Sequence, residues 1–182
     1  MRQQKKEIKD KNIIQDLLAR AAVGRLGTNG ADGYPRVKPL NFVYAGSAIY
    51  FHSAKEGEKI DDIRRDNRVC FEADLPIAFV NGLPENPCKA EYLYRSVIVY
   101  GRAVPVHDEM ERRKALSELM RKYQPEGGYG DFLEAKLAIT AVIRIDIETM
   151  TGKEDLGKEE LRERVEAALK AGASLPLDAW RS

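Results

Sequence analysis

The chain has 182 residues, 43% hydrophobic and 32% charged, with 30 basic against 29 acidic side chains and a net charge of +1. That length suits one ordinary domain, or one domain with a tail, and the near balance of charge lacks the basic excess of a protein that lives by binding nucleic acid. No run of about 18 apolar residues exists to span a membrane. The charged N-terminal residues lead into no apolar segment, so no secretory signal is expected. Cys70 and Cys88 have no C-x-x-C spacing, which fits a reduced, cytoplasmic setting.

In chain order, Asp10 opens a helix whose Ile13, Ile14, Leu17, Leu18 and Ala21 recur at helical spacing. Val23 to Thr28 reads as a strand and Asn29 to Gly33 as a turn of residues that tolerate positive φ. Strands Tyr34 to Tyr44 and Ala48 to Ser53 follow, joined by a short Ala45 to Ser47 connection. Connections this short make an antiparallel meander, because a parallel pair needs a crossover of about a dozen residues. A helix is expected over Glu56 to Asp66, a strand over Arg68 to Ala73, and a loop over the proline-rich Leu75 to Lys89. The long alternating strand Ala90 to Val106 comes next. A helix then starts at Asp108 and Glu111 and carries Ala115, Leu116, Leu119, Met120 and Tyr123 on its apolar face. Ala138 to Glu148 reads as a strand with Ile139, Ala141, Ile143, Ile145 and Ile147 on one face, and Glu159 to Ala171 as an amphipathic helix. The expected fold is mainly β with peripheral helices: an antiparallel barrel, closed or partly closed, since closure removes exposed edges.

The stretch Ile49 to Lys59 carries the most chemical information. A strand delivers His52, Ser53, Lys55 and Lys59 to a helix entrance, where amides and the helix dipole suit an anion. The Walker spacing G-x-x-x-x-G-K-[ST] is absent. Ser53 and Glu56 also have the S-x-x-E spacing of a capping box, which would satisfy the helix start without a ligand. Arg36 and Lys38 alternate with Val37 and Pro39 as the wet face of a strand does. Lys59 also reads as a solvated helix lysine, Ser96 as a small barrel residue, and Thr151 with Gly152 as a tight turn beside Lys153. Asp61 and Asp62 read as a solvated helix face.

With two histidines, His52 and His107, and two scattered cysteines, no metal-ligand spacing is present. No G-x-S-x-G elbow supports a serine triad, and no G-x-G-x-x-G follows a strand. An enzyme this poor in catalytic side chains would rely on a bound redox cofactor for the hard chemistry.

Six segments fall in the order of one family: Gly24 to Thr28, Pro39 to Phe42, Ile49 to Ser53, Gly57 to Lys59, Tyr94 to Val97 with Gly101, and Met150 to Lys153. Over roughly residues 5 to 155 the chain resembles the flavin-binding split-barrel proteins related to pyridoxamine 5'-phosphate oxidase, most of all their nitroimidazole-resistance (Nim-type) branch. The resemblance implies a six-stranded antiparallel split β-barrel over 1–155, with a C-terminal amphipathic helix and tail, 156–182, packing on it. It implies a homodimer with one FMN in each of two clefts between subunits. Arg36, Val37, Lys38, Pro39, Leu40 and Asn41 would run beside the isoalloxazine, and His52, Ser53 and Lys59 would lie at the phosphate segment. Arg95 and Ser96 would come from the second subunit, Lys153 would join the FMN site, and His52 would handle the acceptor as the catalytic residue. The implied activity is FMN-dependent reduction of a small acceptor, such as a nitroaromatic, by a nicotinamide donor or other reductant. The same cleft would serve a non-catalytic flavin or haem binder, or a pyridoxal phosphate carrier. Glu56 and Glu58 interleave the lysines, and the tail Ala179 to Ser182 has no clear match to the oxidase's C-terminal basic residues, which argues against pyridoxamine phosphate oxidation.

Overall fold

The structure is a computed structural model that describes residues 4–176. The tail with Trp180 and the last part of the expected 156–182 segment lie outside the described residues. Among the described residues there are eight strands: β1 (Glu7–Ile8), β2 (Gly24–Asn29), β3 (Pro35–Leu40), β4 (Val43–Ala45), β5 (Ala48–Ala54), β6 (Arg68–Val80), β7 (Glu91–Pro105) and β8 (Thr140–Asp155). Five α-helices accompany them among the described residues: α1 (Lys11–Arg20), α2 (Glu58–Arg65), α3 (Glu109–Tyr123), α4 (Glu134–Leu137) and α5 (Glu159–Lys170). The sheet runs β3-β2-β6-β7-β8-β5-β4, with β1 added beside β8.

Two compact units arise, one from residues 18–73 and 98–150, the other from 4–17, 74–97 and 151–176. The first unit holds the two ends of the strand order. β3 and β4 are the outermost strands, yet only Asn41 and Phe42 separate them in the chain. Two residues span less than about 10 Å, so within this unit the sheet must curl until its edges nearly meet. The ladder is open there, which makes it a split barrel rather than a closed one. The break that divides the expected Tyr34 to Tyr44 strand has a clear cause. Phe42 is fully buried against Phe71, ring centroids 4.9 Å apart, and its N–H donates to the Tyr123 hydroxyl at 3.0 Å instead of to a strand.

Leu26, Ile49, Phe51, Phe71, Ile143 and Ile145 fill this unit's interior. A second layer packs Val43, Val106 and Val142 against Ala115, Leu116 and Leu119 of α3. β8 is therefore covered on both faces near Val142, whereas Ile139, expected in its apolar row, precedes the strand and is exposed. At α3, Asp108 caps the start by accepting from the Glu111 N–H at 2.7 Å. The Glu111 carboxylate does not reach back; it accepts from the Tyr50 hydroxyl and the Arg144 guanidinium, both at 2.9 Å.

Near the end of α3, Lys122 donates to the Leu18 carbonyl at 2.9 Å and lies 3.5 Å above the Phe42 ring. Burial lowers its ammonium pKa from 10.5 to about 8. The folded chain then gives up this proton before the unfolded chain does, so from pH 8 to 10.5 the unfolded state binds more protons and this residue makes stability rise. The Lys122→Met variant should lose that rise, read as the change in urea midpoint between the two pH values. An unaltered change would remove Lys122 from the pH response.

In the other unit, Ile77, Ala78, Leu93 and Leu156 pack against Val165 and Leu169 of α5. β6 runs on through Leu75 and Ile77, both buried, into the expected loop. Pro76 lies beyond Ala73, the last β6 residue in register with β2, where a missing N–H costs no ladder bond on that side. β8 likewise continues through the expected turn at Thr151 and Gly152. Gly152 pairs with Ile8, and a Cβ there would meet Ile8 and Ile14 at 3.0 Å.

Candidate functional site

The site grows from the segment between β5 and α2. The expected capping box does not form: Ser53 is a strand residue, and α2 begins at Glu58 behind Gly57. Gly57 has φ 115°, a conformation that L side chains rarely adopt, and it offers no side-chain cap. Its carbonyl accepts from the Ile60 and Asp61 amides at 2.8 and 3.0 Å. The helix start therefore has no side-chain cap, and the carboxylates in its first turn are those of Glu58 and Asp61.

The helix is seated by a residue that does not lie on a solvated face. Asp62 is 2% exposed and accepts from the Thr28 hydroxyl at 2.9 Å and the Arg65 guanidinium at 2.8 Å. Burial alone would raise its carboxyl; those hydrogen bonds outweigh it and hold the pKa below the ordinary value. Asp61 is exposed, as expected. The buried hydroxyl of Thr28, the partner that settles this, carried no signal beyond its place in β2.

Three cations gather around this helix start. β3 turns Arg36, Lys38 and Leu40 to one face and Pro35, Val37 and Pro39 to the exposed one. Lys38 lies 2.7 Å from the Glu58 carboxylate. Arg36 binds Asp32 at 2.8 Å through one terminal nitrogen, while its Nε lies 3.4 Å from Glu58 without hydrogen-bond alignment and is buried with no hydrogen-bond partner. Lys59 sits 5.3 Å over the Phe51 ring, its ammonium pKa lowered by burial and then by the charge of Lys38. Glu58, the acid interleaved between lysines, is the counter-ion that holds β3 to α2.

Strand alternation sorts the remaining residues of this unit. Ser53 shares the face of Phe51 and Ile143, the side on which Lys59 lies; His52 is exposed on the opposite row, level with Val142. Asn41 is exposed in the crossing between β3 and β4. Arg36, Lys38, Ser53 and Lys59 thus share one region, whereas Val37, Pro39 and the His52 ring face other ways.

Arg95, Ser96 and Lys153 belong to the other unit. Arg95 is 7% exposed and donates to Glu154 at 3.0 Å, and Arg162 binds the same carboxylate. Ser96 alternates to the opposite row of β7, with Tyr92 and Tyr94, whose rings stack at 6.1 Å. Lys153 lies 5.5 Å over the Tyr94 ring. Among the described residues, no group of three or more His, Cys, Asp or Glu side chains is placed to hold a metal, and no helix is long and apolar enough to cross a membrane.

Among solved structures, a candidate 5-nitroimidazole antibiotic resistance protein from Bacteroides thetaiotaomicron is 28% identical, with a TM-score of 0.72 over 81% of this chain and 86% of that one. A FAD-binding protein from Mesorhizobium loti is 27% identical, TM-score 0.58, covering 82% of this chain and 96% of that one. A FAD and haem binding protein from Mycobacterium smegmatis shares the fold at 16% identity, TM-score 0.74, over 90% and 80% of the two chains. No curated protein matches the chain. The pyridoxamine 5'-phosphate oxidase family model matches residues 10–154, the span that contains β2 to β7, the open ladder and the cationic helix start, and the chain belongs to that family.

Proposed function

We propose that this protein is an FMN-dependent oxidoreductase that reduces a small acceptor, such as a nitroaromatic compound, at the expense of a nicotinamide donor. The observation that carries the reading is the convergence of Arg36, Lys38 and Lys59 on an uncapped helix start. These residues fit a phosphate. The buried Arg36 Nε lacks a hydrogen-bond partner, and Lys59 is disfavoured as a cation by burial and by Lys38. A bound dianion would reverse both penalties.

Arg36, Lys38, Ser53 and Lys59 would hold the ribityl phosphate, and the backbone of β3 through Asn41 would flank the ring system. The 27%-identical FAD-binding relative makes the dinucleotide flavin the alternative to FMN. Bound flavin supplies reversible two-electron transfer. The net reaction takes a hydride from the donor and one proton, both ending in water as the nitro group loses an oxygen, and yields the oxidised donor, a nitroso compound and water.

His52 is the residue assigned to that proton, donating from its exposed ring to a nitro oxygen. The His52→Ala variant should retain FMN and lose acceptor reduction by about a hundredfold, within the usual range for general acids. Full activity in steady-state assays would end the assignment. A homodimer with the cofactor at the subunit interface belongs to the same reading. Ile98 and Tyr100 in one unit, and Tyr92 in the other, leave apolar surface exposed for a second copy. Ser96 and Lys153 would then face the partner's cofactor; Arg95 could do so only by releasing Glu154.

The test is direct. Purified protein is mixed with FMN, desalted and examined by absorption and mass spectrometry, then exposed to NADH or NADPH with a nitroaromatic acceptor. Retained FMN and donor-dependent turnover support the reading; a retained flavin that no donor reduces would leave a non-catalytic binder.

A further inference from the structure

A cavity of about 390 Å³ lies within the unit formed by residues 18–73 and 98–150 and shares no residue with the Arg36, Lys38 and Lys59 cluster. Its size suits a small molecule. Its lining includes Ile60 of α2, Val106 beyond β7, and Val142 and Ile143 of β8, each at most 7% exposed, while Pro105 and Ala141 are its more accessible apolar residues. Its rim is cationic, with Lys55, Arg64 and Arg112 joined by the His107 ring, and no carboxylate lines it.

The rim groups differ in how far they are committed. Arg112 is spent on structure, donating to the Leu137 and Thr140 carbonyls at 2.9 and 3.0 Å and pairing with Glu109. Those bonds fix the segment that walls the cavity. Arg64 donates to the Lys55 carbonyl at 3.2 Å and has only a long, exposed contact of 3.4 Å with Asp61. Among the described residues, no ion pair or hydrogen bond engages the Lys55 ammonium or the His107 ring. The Lys55 ammonium, with Arg64 only weakly paired beside it, stands next to an apolar lining and is chemically complementary to an anion with an apolar body.

We infer that this cavity is a second ligand site, separate from the cofactor phosphate site. It takes a small organic anion whose carboxylate or phosphate sits between Lys55, Arg64 and His107, with its apolar part against Pro105 and Ala141. The two histidines of the chain make the test selective. Imidazole carbon-bound proton signals are recorded during titration with benzoate, with phenyl phosphate, and with neutral benzyl alcohol, the His107 signal being identified by its loss in His107→Gln.

Saturable movement of the His107 signal with benzoate or phenyl phosphate is expected, and the tighter of the two names the head group. Lys55→Gln and Arg64→Gln should each weaken that binding roughly tenfold, the value of one charge-assisted contact. Lys59→Glu should leave it within about twofold, which separates this site from the cofactor reading. The inference is overturned if neither anion moves His107, if benzyl alcohol binds as tightly as the anions, or if Lys59→Glu is as damaging as Arg64→Gln.

Discussion

Replacing Lys59 by Glu is expected to weaken FMN binding by about a hundredfold. Loss of a charge-assisted contact to phosphate contributes roughly 1.5–3 kcal/mol, and the new carboxylate adds repulsion. Lys59→Met keeps an apolar stem over Phe51 and should cost about tenfold, the contact alone. Neither variant should unfold the protein, because burial and the charge of Lys38 already disfavour the Lys59 cation where it stands.

The neighbouring acid should act in the opposite sense. Glu58 engages Lys38 and approaches Arg36, so it competes with a phosphate for both. Glu58→Gln should tighten FMN by about threefold to tenfold, a modest gain because the Glu58 side chain is 55% exposed and screened. Fluorescence titration of the variants reads both signs. Unchanged affinity in Lys59→Glu would remove the residue from the phosphate site.

The second large effect is on stability. A Cβ on Gly101 of β7 would stand 2.2 Å from the backbone oxygen of Asp146 on β8. A backbone oxygen cannot rotate away as a side chain does, so Gly101→Ala forces the strands apart. A loss of about 3 kcal/mol is expected, the upper range for overpacking, or roughly 10 °C in melting temperature for a chain of this size. Gly130→Ala, where a Cβ meets nothing within 4 Å, is the matched control and should melt with the wild type. A loss below about 1 kcal/mol in Gly101→Ala would show that the strands yield at that point.

Elements with long, regular alternation were legible in the sequence. β7 and α3 fall within a residue or two of their expected bounds because each carries an uninterrupted period and, for α3, a true cap at Asp108. The site entrance was less legible. Ser53 and Glu56 match a capping pattern, but the strand runs on through Ala54 and Gly57 turns the chain, so α2 starts two residues later than expected. The cation pair of β3 followed from alternation alone, while its convergence with Lys59 needed the curl that brings β3 to α2. Asp62 and Arg95 were misleading for one reason. A charged residue in a periodic segment reads as solvated or ligand-facing, and only tertiary structure supplies the Thr28, Arg65 and Glu154 partners that bury them.

The central claim is that Arg36, Lys38 and Lys59 form a phosphate site for a flavin. Titrating the apoprotein with FMN and with riboflavin, which lacks the phosphate, tests it most directly. FMN should bind about a hundredfold more tightly, equivalent to roughly 2.7 kcal/mol of phosphate contacts, and the advantage should shrink to within about threefold in Lys59→Glu. Equal affinity for the two flavins, or no binding of either, would contradict the account.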